Sequence, residues 1–315
     1  MKKIILVIAL LTFGLTTLAQ QKNESTAAFN GWENAGKLRL ISENQAEPTE
    51  REVSPAAREF NQQGVEKTLK ERNFKLATEL FRKAVESDAT CLTCRYNLGI
   101  SLINIENYDE ATRIFTDLIT IKPDNASAYS GLGDALHQKG FYEESAAAYQ
   151  KALALAPDDP VVLSNLGNAL YRIKSYRESL VYLDRAVRLN PDLAVAYSNL
   201  GTTLFSLGRS KEAAESLRRA IALQPDAVEA INNLGVVLGS LGKRKESLAC
   251  YQEVLRLRPN SRMALYNLSL SYFESGDQRT ARQYLKKLEE VDSNLAKDLS
   301  KAISARYVLS AAEIK

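Results

Sequence analysis

Proline recurs at positions 123, 157, 191, 225 and 259 of this 315-residue chain, each 34 residues after the last. Proline has no amide hydrogen and crowds the preceding turn, so a strict proline period marks a helix end that recurs. A fixed period of this length is the mark of stacked helical units, which grow by addition and not by enlarging one core. The expected fold class is therefore all-α, and the expected product is a long surface that suits binding better than chemistry.

Seven units can be phased on the prolines, starting at residues 58, 92, 126, 160, 194, 228 and 262. Each reads as helix, turn, helix, turn. Ser54-Pro55 suits a helix start, since serine accepts from first-turn amides and proline loses no bond there. Gly140, Gly208, Gly242 and Gly276 suit the left-handed turn inside a unit. Asp124, Asp158, Asp192, Asp226 and Asn260 follow the prolines and are expected to cap the next helix.

Large and small residues alternate in register along these units. Position 7 carries Leu98, Leu132, Leu166, Leu200, Leu234 and Leu268, and position 8 carries Gly99, Gly133, Gly167, Gly201, Gly235 and Ser269. Position 20 is alanine or serine throughout, and position 24 is large: Phe81, Phe115, Tyr149, Leu183, Leu217, Tyr251 and Leu285. Small residues let two helices approach closely, and large ones fill the space between units. The first unit departs with Val65 in the glycine place and Ala89 in the proline place, and the seventh has Ser293 for proline. This pattern resembles the tetratricopeptide repeat across residues 58–295. The resemblance implies a right-handed α-solenoid of about seven 34-residue helix-turn-helix units with a C-terminal capping helix.

The ends read differently. Lys2-Lys3, an apolar run from Ile4 to Leu15, and Thr17-Leu18-Ala19 before Gln20 have the form of a secretory signal with its cleavage site. The expected division is a signal over 1–19, a flexible linker over 20–54, the array over 55–295, and a capping helix and tail over 296–315. Leu295, Leu299 and Ile303, interleaved with Lys297, Asp298 and Lys301, supply the amphipathic cap. The expected location is periplasmic or secreted, the alternative being an uncleaved N-terminal anchor. After cleavage no stable membrane span is expected. Trp32 and the Leu38-Leu40-Ile41 cluster stand out in the linker, either packing on the first unit or forming a short docking motif.

Charge narrows the partner. The chain holds 41 basic and 38 acidic residues, and removing Lys2 and Lys3 brings the two nearly level. Nucleic-acid binding needs a basic stripe that displaces counterions, so nucleic acid is not expected. In tetratricopeptide arrays the first helix of each unit lines a concave face, and the resemblance puts unit position 6 on it. That position carries Asn97, Asn165, Asn199, Asn233 and Asn267, with Gly131 as a gap. Asparagine is a mediocre helix former, so propensity does not explain the row. Its amide both donates and accepts. The row resembles the asparagine ladder of O-linked N-acetylglucosamine transferase arrays, which implies capture of an extended peptide backbone. Hydrogen bonding between neighbouring helices is the alternative. Tyr96, His137, Tyr171, Phe205, Tyr266 and Phe273 are expected beside the row as peptide-contacting side chains.

Cys91 and Cys94 stand three residues apart at the first junction, and a structural disulfide is the expected state in an oxidising compartment. A reduced pair, a redox pair or a metal site are the alternatives. Cys250 reads as a buried small apolar residue on the second helix of the sixth unit. His137 is the single histidine and has no ligand motif around it, so no metal is expected. No phosphate loop, nucleophile elbow or zinc signature occurs. The expectation is a non-catalytic scaffold without cofactor that binds another protein's extended segment. Two alternatives are an assembly or self-association subunit of an envelope complex and a substrate-positioning partner of a separate enzyme.

Overall fold

The computed structural model describes residues 53–312, with side chains as far as residue 304. The expected signal, most of the linker, Trp32 and the Leu38-Leu40-Ile41 cluster lie outside the described residues. Among the described residues there are fifteen α-helices and no strand. The first helices of the seven pairs are α1 (Pro55–Glu71), α3 (Leu92–Asn104), α5 (Ala126–Lys139), α7 (Pro160–Arg172), α9 (Ala194–Ser206), α11 (Val228–Ser240) and α13 (Arg262–Glu274). The second helices are α2 (Phe74–Ser87), α4 (Tyr108–Ile121), α6 (Tyr142–Leu155), α8 (Tyr176–Leu189), α10 (Ser210–Leu223), α12 (Arg244–Leu257) and α14 (Gln278–Val291). A final helix, α15 (Ser293–Ala312), follows. The fold is an all-α solenoid of helix pairs with a capping helix.

The chain forms two compact units that divide between Asn199 and Leu200, within α9. In the amino-terminal unit each helix from α1 to α8 packs on the next, and α3 also meets α1 and α5, as α5 meets α7. In the carboxy-terminal unit α10 to α15 pack in sequence, and α11 meets α13. There α15 lies on both α13 and α14, burying Leu295, Ala296 and Leu299 with Leu265, Tyr266 and Leu288. It begins at Ser293, three residues before the boundary expected from sequence, because the Asp292 carboxylate accepts from the Leu295 amide and starts the helix.

The turn between pairs explains the proline clock. The amide of Asn125 bonds the carbonyl of Lys122 across Pro123-Asp124, and Ala227 to Gln224 and Ser261 to Arg258 repeat it. Proline at the second place of such a turn comes with its backbone angle already set. The cap of the next helix is therefore one residue later than expected. Asn125 accepts from Ala128, and Asp159 from Val161 and Val162. Asp158 instead pairs with Arg185 at 2.6 Å. At the proline-free first junction Cys91 bonds Asp88 in the same way, and the Asp88 carboxylate takes the amides of Thr90 and Ser54.

The turn within a pair has a left-handed residue at the same place in all seven units: Arg72, Glu106, Gly140, Lys174, Gly208, Gly242 and Gly276. Four are the glycines expected from sequence, and three are not glycine. Lys174 stands at φ +65°, a region that costs a residue with a Cβ about 1–2 kcal/mol. Lys174→Gly relieves that strain against a smaller loss from the unfolded chain. It is expected to stabilise the protein by about 0.5–1 kcal/mol, read from the midpoint of urea unfolding.

Close approach within each pair depends on position 8. A Cβ on Gly167 would sit 2.5 Å from Leu183 Cγ, and one on Gly133 2.6 Å from the Tyr149 ring. Ser145, Ser179 and Ser247 donate to the carbonyls of Gly133, Gly167 and Gly235 across the same seam. In the seventh pair the partners are exchanged, Ser269 donating to Ala281. The first pair keeps the seam one residue early. Gly64, and not Val65, faces Phe81. The cause is a wider last turn in α1, where the Asn73 amide reaches back to Lys67, against Asn107 to Leu102 in the next pair. Gly131 interrupts the asparagine row for a packing reason, since a Cβ there would lie 2.3 Å from the Phe115 ring. Alanine favours a helix over glycine by about 1 kcal/mol. Gly167→Ala is nonetheless expected to destabilise the protein by about 1–3 kcal/mol through overpacking, checked by chemical denaturation.

Candidate functional site

The face of interest is formed by the first helices, at positions 5, 6 and 9 of the units. In the amino-terminal unit it holds three hydrogen-bonded groups. Asn97 donates to Asn61 at 2.9 Å, Asn165 to Asp134 at 3.2 Å, and Asn199 to Ser164 at 3.3 Å. Asn168 donates to Asn199 at 3.0 Å and faces His137 Nε2 at 2.8 Å. In the carboxy-terminal unit Asn233 donates to Thr202 at 3.2 Å and Asn267 to Asn232 at 3.1 Å. Each position-6 asparagine thus bonds position 5 or 9 of the preceding unit, a regular strut between repeats. Asn61 stands in the row only through the one-residue shift of α1, which periodicity alone could not reveal.

Burial sorts the expected site residues. Tyr96, Asn97, His137, Tyr266 and Asn267 are all buried, so they pack between repeats and offer little surface to a peptide. Tyr96 meets Phe115 edge-on at 5.8 Å between centroids. Asn165, Asn199, Asn233, Tyr171, Phe205 and Phe273 are half-buried. Asn199 uses both ends of its amide in the set just described. Asn165 and Asn233 each commit one amide hydrogen, and their carbonyl oxygens accept nothing among the described residues.

Two buried ionisable side chains lie one turn apart on α5. Asp134 accepts from Tyr149 Oη at 2.6 Å and from Asn165, with no cation against it. Burial first, and the Asp159 charge last, push its carboxyl up to about 7, opposed by the Tyr149 and Asn165 hydrogen bonds. Tyr149 is itself pushed well above its usual range by burial and by Asp134. His137 is pushed down to about 4, mainly by burial and further by Arg172, against the Asn168 hydrogen bond. Its Nδ1 is buried with no partner, and its ring meets Tyr142 at 5.1 Å. Arg172 lies over the other side of this cluster, 4.2 Å from the Tyr142 centroid. The Asp134–Tyr149 pair was legible only as a tyrosine at position 24 where most units have leucine or phenylalanine.

The two groups oppose each other in pH dependence. Between about pH 4 and 7 the unfolded aspartate is ionised and the folded one is not, so stability falls as pH rises. Between about pH 4 and 6.5 the unfolded histidine is charged and the folded one is neutral, so stability rises with pH. The two slopes largely cancel in their shared window. Asp134→Asn keeps an oxygen for Tyr149 and Asn165 and removes the buried acid. It is expected to leave stability rising with pH up to about 6.5 and to stabilise the fold at pH 8 by about 1–3 kcal/mol. Urea unfolding at several pH values checks both.

Cys91 and Cys94 are joined, with S–S 2.05 Å, at the start of α3. Both cysteines are buried with Ala57 and Ala84, against Val53 and Phe60, so the bridge fixes the start of α3 within the packing against the first pair. Among the described residues no helix is long and apolar enough to cross a membrane, and no group of three or more His, Cys, Asp or Glu could hold a metal.

Comparison with known proteins agrees with this geometry. Models of the TPR or tetratricopeptide repeat match residues 92–125, 133–174, 158–226 and 232–294. A tetratricopeptide repeat protein from Parabacteroides merdae is similar at TM-score 0.62 and 14% identity, covering 80% of this chain and 100% of that one. PilF of Pseudomonas aeruginosa is similar at TM-score 0.58 and 19% identity, covering 67% and 96%. The APC/C hetero-tetramer Cut9–Hcn1 is similar at TM-score 0.62 and 17% identity, covering 73% of this chain and 52% of that one. No curated protein sequence matches the chain. At these identities the likeness is one of fold, and with the repeat models it places the chain in the tetratricopeptide-repeat family of protein-interaction scaffolds.

Proposed function

We propose that this chain is an exported, non-catalytic scaffold that captures an extended segment of another protein along its first-helix faces. The observation that carries it is the pair of half-buried amides, Asn165 and Asn233, each held in place by one bond and left with an unpartnered carbonyl oxygen. An amide oriented in advance loses little entropy when it accepts a backbone N–H. Half-buried rings accompany them on the first helices, Tyr171 following Asn165 on α7 and Phe205 standing near the end of α9, the first helix before that of Asn233. A half-buried ring adds contact area at low entropy cost. Export is supported by the signal-like first nineteen residues and by the Cys91–Cys94 bridge, which suits an oxidising compartment.

A second reading, assembly through the outer surface, is favoured by Ile121, Leu155 and Leu189. These end α4, α6 and α8 at 34-residue intervals and are 54%, 43% and 44% exposed. Both readings are tested by affinity capture from a cell-envelope extract with the full chain and with Asn165→Ala/Asn233→Ala, the variant's helicity checked by circular dichroism. A protein held by the wild type and lost by the folded variant is the expected result. Equal retention by both removes the peptide-capture reading and moves the contact to the outer surface.

A further inference from the structure

Charge is unevenly shared between the two kinds of helix in the amino-terminal unit. From α3 onwards its first helices hold only Arg95, Asp134, Lys139 and Arg172, and the stretch 194–199 of α9 holds none. Each of the four is engaged. Arg95 donates to the Ala89 carbonyl at 2.9 and 3.1 Å, and Lys139 pairs with Asp109 at 2.7 Å. Asp134 is buried under Tyr149, and Arg172 lies on the Tyr142 ring. The second helices are unlike this: α8 alone carries Arg177, Glu178, Asp184, Arg185 and Arg188.

Solubility does not account for a neutral face. Lysine and glutamate are better helix formers than serine or asparagine and are the usual occupants of wet helix surface. Yet Ser130, Asn165 and Asn168 sit half-buried on α5 and α7. The asparagines are explained in part by their struts, but Ser130 makes no side-chain hydrogen bond among the described residues. A face of amides, hydroxyls and rings has no counter-charge to offer. A charged side chain laid on it would lose hydration without an ionic partner, which costs more than the contact returns.

We propose that the segment captured on this face is uncharged, an extended stretch of another protein bearing amide, hydroxyl and apolar side chains, held independently of ionic strength; this rests on the peptide-capture reading above. Neighbouring packed helices lie about 8–10 Å apart, a span that an extended chain covers in about three residues. The face therefore meets every third side chain of its partner, and neutrality is required at that period.

The test uses the full chain and three pools of synthetic peptides, followed by fluorescence anisotropy at low and high salt. One pool is built from Ser, Thr, Asn, Gly, Ala and Val. The other two carry Glu or Lys at every third position. The neutral pool is expected to bind with an affinity that changes less than about twofold between the two salt concentrations. The Glu and Lys pools are expected to bind about tenfold more weakly or worse. Ser130→Lys puts a cation on the face and is expected to recruit the Glu pool in a salt-dependent way. Tighter, salt-sensitive binding of a charged pool by the wild type, altered by Ser130→Lys, overturns neutrality and leaves peptide capture standing. Binding of no pool, or binding that a folded Ser130→Lys variant leaves unchanged in every pool, removes capture on this face and the inference with it.

Discussion

In the first six helix pairs a glycine faces a large side chain, as Gly133 faces Tyr149, Gly167 faces Leu183 and Gly235 faces Tyr251. Contact this close leaves no room for one methyl group, so the pair can assemble in a single register. Everything else is referred to that seam. The serine at position 20 reaches the glycine carbonyl because the backbones are near, and Tyr149, packed against Gly133, reaches Asp134. Where α1 gains a residue in its last turn, the seam moves to Gly64, and the polar contact moves with it to Asn61.

The asparagines at position 6 repeat one contact at different depths. Asn97 and Asn267 are buried, and their amides spend themselves between helices, as a buried polar group must. Asn165 and Asn233 make the same strut at the margin of solvent and keep an acceptor. The strut holds that acceptor in one orientation, because the side chain is fixed by packing. Depth thus decides which of these asparagines is sealed and which keeps an acceptor.

The buried acid and base of α5 add a polar joint to an otherwise apolar stack. Asp134 and His137 are kept neutral near pH 6 by the same burial that shifts them in opposite directions. Their near-cancellation keeps the joint from dominating the acid response of the fold. It also holds Asn165 and Asn168 in position, so the joint and the first-helix face are mechanically one feature.

From sequence alone came the period, the helix count, the all-α class, the glycine seam and four of the seven left-handed turns, because each rests on local sterics repeated in register. The helix caps were read one residue early at Asp124 and Asp158, since the turn closed by Asn125 and Lys122 needs a fourth residue that the proline pattern does not show. Arg72, Glu106 and Lys174 were not legible as left-handed, because a non-glycine residue takes that conformation only when packing on both sides imposes it. The same holds for the asparagines. Their spacing placed them on one face, but which of them are sealed and which keep an acceptor depends on the depth to which each helix sinks against its neighbours, a quantity set by volumes summed over several helices and written in no single repeat.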